Sequence, residues 1–448
     1  MKKVVIVGAG ASGLMAGIAA ARAGAQVTIL EHTPQIGKKI RVTGNGRCNL
    51  TNTDQSPEHY RGTHPEFAME ALRKFSMADT VKFFGELGIY TKNRNGYLYP
   101  HSDQAADVAE VLRAENEHQH VKISCNSVVR SIHVNCEAKI RTNDHINAQE
   151  NSQDRAAEVN GKTDVGNEKD QRFLIETESW TYPADALILC TGSKAAPKTG
   201  SDGSGYPLAE QLGHRIITPL PALVQLKAAG KEFQKLAGIR AEAKVTLRVE
   251  DTPVCSDQGE VQLTGYGISG IPVFQVSRFA AEALEQQKKV QVWLDFFPEF
   301  TADNLMTFFK QRIQQISYKR MGQFFTGMLP GKLSEVLLIK AGLKASEPVG
   351  RLSPEGMMKL ILLLKAYPVD ITGTNSFDQA QTCAGGVDTR EVDPGTMESG
   401  IVPGLYLAGE LLDIDGACGG YNLQWAWTSG YIAGTSAAGG RLQRKEQP

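Results

Sequence analysis

The chain lacks any run of about 20 apolar residues, so no membrane-spanning helix is expected. It lacks a charge excess. Lys and Arg number 48 against 49 Asp and Glu, for a formal net charge of -1. On that sum there is no basic field to recruit nucleic acid and no polybasic patch for a membrane. The expected partner is a small-molecule substrate, and composition says nothing of oligomeric state. The seven Cys include no CxxC pair, and an odd count in 448 residues argues against a disulfide framework. That usage fits a reducing compartment, and a cytoplasmic protein is expected. The nine His show no HExxH or zinc-type spacing, and His118 and His120 sit in a polar stretch as solvated side chains, so no metal is expected. No long-period repeat is present.

What is present begins at once. Val4 to Val7 is an apolar, β-branched run that suits a strand buried on both faces of a parallel sheet. Gly8, Gly10 and Gly13 follow at GxGxxG spacing, then a helical stretch from Leu14 to Ala23, stopped by Gly24. A second strand, Gln26 to Leu30, ends in Glu31. Strand, glycine turn, helix, strand and acid make up the βαβ frame of a dinucleotide site. Gly8 permits the tight turn, Gly10 lets the backbone approach a pyrophosphate, and Gly13 lets the helix pack on the sheet. The N–H groups of Ala11, Ser12 and Gly13 then face the anion. Glu31 is placed to accept hydrogen bonds from an adenosine ribose. The frame alone does not separate FAD from NAD. Lys2-Lys3 and Ala21-Arg22-Ala23 mimic a signal peptide, but cleavage there would destroy the nucleotide turn.

After Glu31 comes a stretch dense in glycine, cations and amides, Gly37 to Asn52. Within it Lys39 and the run Thr43-Gly44-Asn45-Gly46-Arg47-Cys48-Asn49 are candidate contacts to a polar, anionic ligand. The combination of GAGASG with GKKIRVTGNGRCNLTN resembles a bacterial flavoprotein family. Its members are NAD(P)/FAD-dependent oxidoreductases, some identified as aminoacetone oxidases or 3-dehydro-bile-acid reductases. The likeness extends over nearly the whole chain and implies FAD as the cofactor. It also implies that backbone at Val129 touches adenine and that Thr191-Gly192 forms a second FAD-contacting turn. Gly409-Glu410 would form a third. The diglycine Gly419-Gly420, with Tyr421, Asn422 and Leu423, would open a last helix, about Tyr421 to Ala437, whose positive end favours negative charge on a reduced flavin.

The expected fold is α/β: a two-part Rossmann-type FAD-binding domain, residues 1–195 and 373–448, with an inserted β-barrel-like plus helical domain, 196–372. Strands are expected at Lys244–Val249, Gly259–Thr264 and Lys289–Asp295. Helices are expected at Ala105–Arg113, Val273–Leu284, from Thr301 to about Ile316, at Ser334–Ala341 and after Ser353. Asn143 to Asp170 is polar, cannot bury a core, and reads as a long surface loop. Ser269 follows no G-x-S-x-G spacing and is read as structural. Cys48 and Cys418 are read as small fillers near the ring rather than a redox pair.

The expected activity is hydride exchange between flavin N5 and an unidentified small organic substrate, with the ring at the domain interface and no acid or base assigned. Only one glycine fingerprint has full βαβ context, so NAD(P)H is expected to serve only as a transient electron donor. The rival readings are an NAD-linked dehydrogenase and a flavin-binding sensor without turnover. The blocks at residues 43–52 and 419–424 argue against the first.

Overall fold

The computed structural model of the protein describes residues 1–135 and 171–441. The polar stretch 143–170 lies outside the described residues. The chain divides into two compact units: Met1–Ser193 with Thr199–Ile217 and Gly385–Pro448, and Lys194–Lys198 with Thr218–Ala384.

The first unit is built on the apolar N-terminal strand. Lys3–Val7 is the central strand of a five-stranded parallel sheet. The order is Leu405–Leu407, Ala186–Leu189, Lys3–Val7, Gln26–Leu30, Lys122–Ser124. Val4 lies opposite Ala186 on one side and Val27 on the other. Ile6, Ile29 and Ile188 are fully buried, as strands covered on both faces require. The sheet's edge next to Ala186–Leu189 is supplied by chain some 220 residues downstream, so the FAD-type domain is assembled from two separate parts of the sequence.

Two helices fix this unit. The first, Ala11–Arg22, begins directly after Gly10, three residues earlier than apolar periodicity indicates, because its first turn carries small residues. The last is Tyr421–Ala437, at its expected limits. The two run parallel and nearly touch. A Cβ on Gly430 would stand 2.4 Å from the Ser12 carbonyl oxygen, and one on Gly434 would stand 2.2 Å from that of Ala16. A third helix, Ala105–His118, runs five residues beyond its expected end. Its polar last turn is held by Asn116, fully buried, whose Nδ2 donates to the carbonyls of Leu14 (3.1 Å) and Leu112 (2.8 Å).

The second unit contains a closed barrel. Around it run Leu226–Ala228, Gly267–Ser269, Thr252–Thr264, Ile239–Val249, Val290–Asp295 and Tyr367–Thr374. Two of these strands are longer than alternation suggests, because Ile239 to Ala243 pair with Gly259 to Leu263 and Thr252 to Gln258 pair with Lys244 to Val249, in one long antiparallel ribbon. Ile271–Glu285 is the helix after the Gly270 turn. The helices Ala302–Ile316 and Pro354–Lys365 start where their caps indicate: Thr301 Oγ1 accepts from Asn304 N (3.2 Å) and Ser353 Oγ from Gly356 N (3.1 Å). Between them, Gly331–Lys340 begins three residues before the expected Ser334.

His214 illustrates how the first unit handles a buried titratable group. Its Nδ1 lies 3.0 Å from Glu391 Oε2 and its Nε2 2.8 Å from Ser399 Oγ. Ser399 Oγ already accepts from Ile401 N (3.0 Å) and Val402 N (2.9 Å). Its hydroxyl proton is therefore assigned to Nε2, and the ring is neutral with Nδ1–H on the carboxylate. Burial pushes the imidazole pKa below its ordinary value, against the pull of Glu391. The unfolded chain binds this proton near pH 6.5 and the folded chain resists it, so stability is complete above that pH and falls as pH drops below it.

Two outcomes are expected. Gly434→Val places atoms inside the Ala16 backbone and lowers unfolding stability by about 1–3 kcal/mol or more, read as a fall in urea midpoint. Between about pH 7 and about pH 5, the wild-type protein loses stability by an increment missing from the already weaker His214→Gln variant, read from urea midpoints across the range.

Candidate functional site

Four turns meet at the carboxyl ends of neighbouring parallel strands, where such sheets bind ligands. The ladder runs one residue past the strands. Gly8 N donates to Leu30 O (2.8 Å), Glu31 N to Ser124 O (2.8 Å), Cys190 N to Val7 O (2.8 Å) and Ala408 N to Leu189 O (3.0 Å). The glycine turn, Glu31, Thr191-Gly192 and Gly409-Glu410 are thereby brought together.

The three fingerprint glycines differ in what surrounds them. Gly8 has φ +103°, and a Cβ there would lie 2.4 Å from Cys190 O. On Gly13 it would lie 1.9 Å from Gly8 O. Around Gly10 nothing lies within 4 Å of that position, so the cradle is open where a pyrophosphate needs backbone approach. Gly10 caps the first helix without a side-chain hydrogen bond, and no acid occupies the first turn. Gly409 is clasped between the two helices. A Cβ on it would stand 2.4 Å from Ser12 Oγ, its N–H donates to Ser429 Oγ (2.9 Å), and Trp425 Nε1 donates to its carbonyl (3.0 Å).

The charged groups in these turns are already engaged. Glu31, buried, accepts from Ala9 N on one oxygen and from Thr33 N on the other, both at 2.8 Å. It therefore ties the glycine turn to the second strand, and each oxygen keeps a lone pair. Lys39 Nζ lies 2.6 Å from Glu410 Oε2, which also accepts from Ser193 Oγ at 3.1 Å. Ser193 and Ser201, which lock Glu410 and Lys39 in place, are supports that no sequence motif singles out.

The block at residues 43–52 meets the start of the last helix. Gly44, Asn45, Gly46 and Cys48 all have left-handed φ, between 55° and 81°, which winds the segment into a tight knot. Asn52 Nδ2 donates to Gly419 O (3.1 Å), Thr51 Oγ1 to Gln424 Oε1 (2.6 Å) and Trp427 Nε1 to Leu50 O (3.0 Å). Gly420, at φ +98°, caps the helix with no side-chain bond, and a Cβ there would meet the Thr51 backbone at 2.8 Å and Asn49 Oδ1 at 2.9 Å. Asn49 Oδ1 and Thr191 Oγ1 are buried without a protein partner, as atoms awaiting a ligand would be.

Other expected positions fall as follows. Val129 is half-buried, at the start of the strand Val129–Val134. Tyr421 stacks on His59, with ring centroids 4.4 Å apart. Asn422 spends its amide on Gly416, Oδ1 accepting from the N–H (2.8 Å) and Nδ2 donating to the carbonyl (2.9 Å). Leu423 packs against the apolar core. Arg47 is exposed. Among the described residues no group of three or more His, Cys, Asp or Glu side chains is placed to hold a metal ion.

The helix register gives the site a length. Ser12 sits opposite Gly430 and Ala16 opposite Gly434. The N-terminus of the last helix therefore projects about 12 Å beyond that of the first, at 1.5 Å per residue. Both helix ends are bare and glycine-capped, which leaves their N–H groups to anionic or electron-rich ligand atoms.

These features define a Rossmann-type FAD-binding protein, an FAD-dependent oxidoreductase. The chain belongs to the family described as the HI0933-like protein Rossmann domain, whose model matches residues 2–154 and 147–436. It is 43% identical over 440 residues to a 3-dehydro-bile acid delta(4,6)-reductase of Clostridium scindens, covering 98% of this chain and 99% of that protein. It is 30% identical over 438 residues to a ribosomal RNA dihydrouridine synthase of Haemophilus influenzae, covering 96% and 97%. Among solved structures, a 3-ketosteroid-delta4-(5alpha)-dehydrogenase from Rhodococcus jostii matches at 16% identity and TM-score 0.43, over 98% of this chain and 97% of that one.

Cys48 has no exposed surface, and burial pushes its thiol up to about 12, with a weaker opposing effect from a Thr43 hydrogen bond. In the folded protein iodoacetamide at about pH 8 is therefore expected to leave Cys48 unmodified, and to alkylate it fully in urea, as read by peptide mass spectrometry. Rapid labelling in the native state would contradict this placement.

Proposed function

We propose that this protein reduces a carbon–carbon double bond conjugated to a carbonyl, with NAD(P)H as transient electron donor and FAD as the carrier. The observation that carries the reading is the glycine-capped end of the last helix, locked against residues 49–52. The two relatives add chemical direction. The name of one specifies reduction of a 3-oxo bile acid unsaturated at carbons 4 and 6. The name of the other specifies a product, dihydrouridine, that is uridine saturated across its 5,6 bond. Both substrates are electrophilic at the carbon β to a carbonyl.

Bound FAD supplies hydride transfer at N5. The chain's own residues do the rest. The first-turn N–H groups at Ala11, Ser12 and Gly13 bind the pyrophosphate, and Gly10 leaves room for it. Glu31 holds the turn and offers its remaining lone pairs to the ribose. Lys39, Glu410 and Ser193 form a charge-neutral, hydrogen-bonded support beside the Thr191-Gly192 turn. Asn49 Oδ1 and Thr191 Oγ1 gain partners. The first turn of the last helix favours negative charge by about 0.3–1 kcal/mol, more where water is excluded. The substrate would gain the hydride at its β carbon and a proton drawn from solvent at its α carbon, and NAD(P)H would be oxidised to NAD(P)⁺. Free thiols at Cys48, Cys125 and Cys190 agree with a reducing, cytoplasmic setting.

In anaerobic stopped flow, protein reduced by NADPH should be reoxidised by a 4-en-3-one steroid or a uridine-bearing oligonucleotide at least about tenfold faster than by the matching saturated compound. If every conjugated probe leaves the reduced flavin unchanged, the reading fails. A protein that is reduced yet turns over nothing would be the sensor instead.

A further inference from the structure

The whole-chain charge of -1 conceals an uneven distribution. Between residues 301 and 366, in the helices of the second unit, ten Lys and Arg stand against four Asp and Glu. Four of the ten cations are committed. Lys340 pairs with Glu232, Lys359 with Glu355 and Lys365 with Asp295, while Arg312 donates to the carbonyls of Phe324 and Thr326. The other six, Lys310, Lys319, Arg320, Lys332, Lys344 and Arg351, make no ion pair among the described residues.

Four of these six are gathered into one knot. Backbone bonds lace residues 317–322 to residues 345–350. Val349 N donates to Lys319 O (2.8 Å), Gly350 N to Ser317 O (3.1 Å), Met321 N to Glu347 O (2.8 Å) and Gly322 N to Ala345 O (2.9 Å). Arg320 reaches across to the Ser346 carbonyl at 3.4 Å. Lys319, Arg320, Lys344 and Arg351 are thereby drawn together, with Glu347 the one acid among them. At the same knot Tyr318 is 80% exposed, with the Lys319 ammonium 5.9 Å from its ring. A tyrosine left in water has no packing role in the fold.

We propose that this knot is an RNA-docking surface. Cations without an ion-pair partner on a hydrogen-bonded backbone frame suit a phosphate chain, whose counterions they displace. An exposed aromatic ring among them offers a stacking platform for an unpaired base, as in recognition of single-stranded loops. A membrane would need a broad apolar face beside the cations, whereas the knot presents one ring with a polar hydroxyl. The inference rests on this surface alone and does not depend on the reduction proposed above. Its readout is binding, so it can fail or succeed separately from turnover.

The test uses the full chain with FAD bound. Fluorescence anisotropy follows a fluorescein-labelled, uridine-bearing stem–loop RNA across a salt series. Lys319→Glu/Arg320→Glu/Arg351→Glu should weaken binding at least about 30-fold and lower the slope of log affinity against log salt by about two to three. Tyr318→Ala should cost on the order of tenfold with little change in slope. The neutral pair Lys319→Gln/Arg351→Gln serves if the triple variant misfolds, as judged by flavin content and circular dichroism, and should show a smaller loss in the same direction. Arg73→Glu/Lys82→Glu, on the first unit, should bind RNA as the wild type does. Unchanged affinity in the folded triple or neutral pair overturns the proposal. So does an equal loss in the Arg73/Lys82 control, or binding to phosphatidylglycerol vesicles but not to the RNA.

Discussion

The structure of the first unit depends on one steric constraint: two helices from opposite ends of the chain lie so close that only hydrogen fits at Gly430 and Gly434. A methyl group at either position would penetrate the backbone of the first helix. This contact sets the axial register of the two helices. It also places Gly409 between them, with Trp425 and Ser429 holding that turn by hydrogen bonds. The distance between the two bare helix ends then follows from the rise of an α-helix. The site is long because of a packing decision made at glycines that never face the ligand.

Electrostatics in the first unit follow the same economy. Both helix ends lack an acidic first turn and a capping side chain, so their N–H groups are left for a ligand. The charged side chains nearby are engaged within the protein, Lys39 in an ion pair with Glu410 and Glu31 in hydrogen bonds from two backbone amides. Cys48 and Cys190 lie buried next to these turns with thiols pushed up to about 12, which keeps them unreactive. The chemistry is left to the cofactor, and the protein contributes position and dipoles.

The relatives named for a bile acid and for a ribosomal RNA differ greatly in size, yet both names describe saturation of a conjugated double bond. A shared redox centre can serve both if recognition is delegated to other surfaces. The basic knot around Tyr318 is the surface proposed for that role. A sum over the chain hides it, because the acids that balance it lie elsewhere in the sequence.

The sequence by itself determined the parts whose physics is local. Apolar runs set the parallel strands, glycine spacing set the nucleotide turn, and Thr301 and Ser353 set helix starts through their own hydroxyls. The start of the last helix was readable because a diglycine opens it. Periodicity missed helix ends such as that of Ala105–His118, where buried Asn116 holds the polar last turn by bonding to Leu14 of the neighbouring first helix. Only the tertiary structure decided how Glu31 and Glu410 are used, because their partners, Ala9, Lys39 and Ser193, are distant in sequence or carry no motif. It alone joined Asn52 and Thr51 to Gly419 and Gln424, and turned Asn422 toward Gly416. Those choices depend on which backbones can approach, and approach is settled at glycines such as Gly419, 367 residues from the Asn52 that bonds to it, and Gly420, packed on the Thr51 backbone.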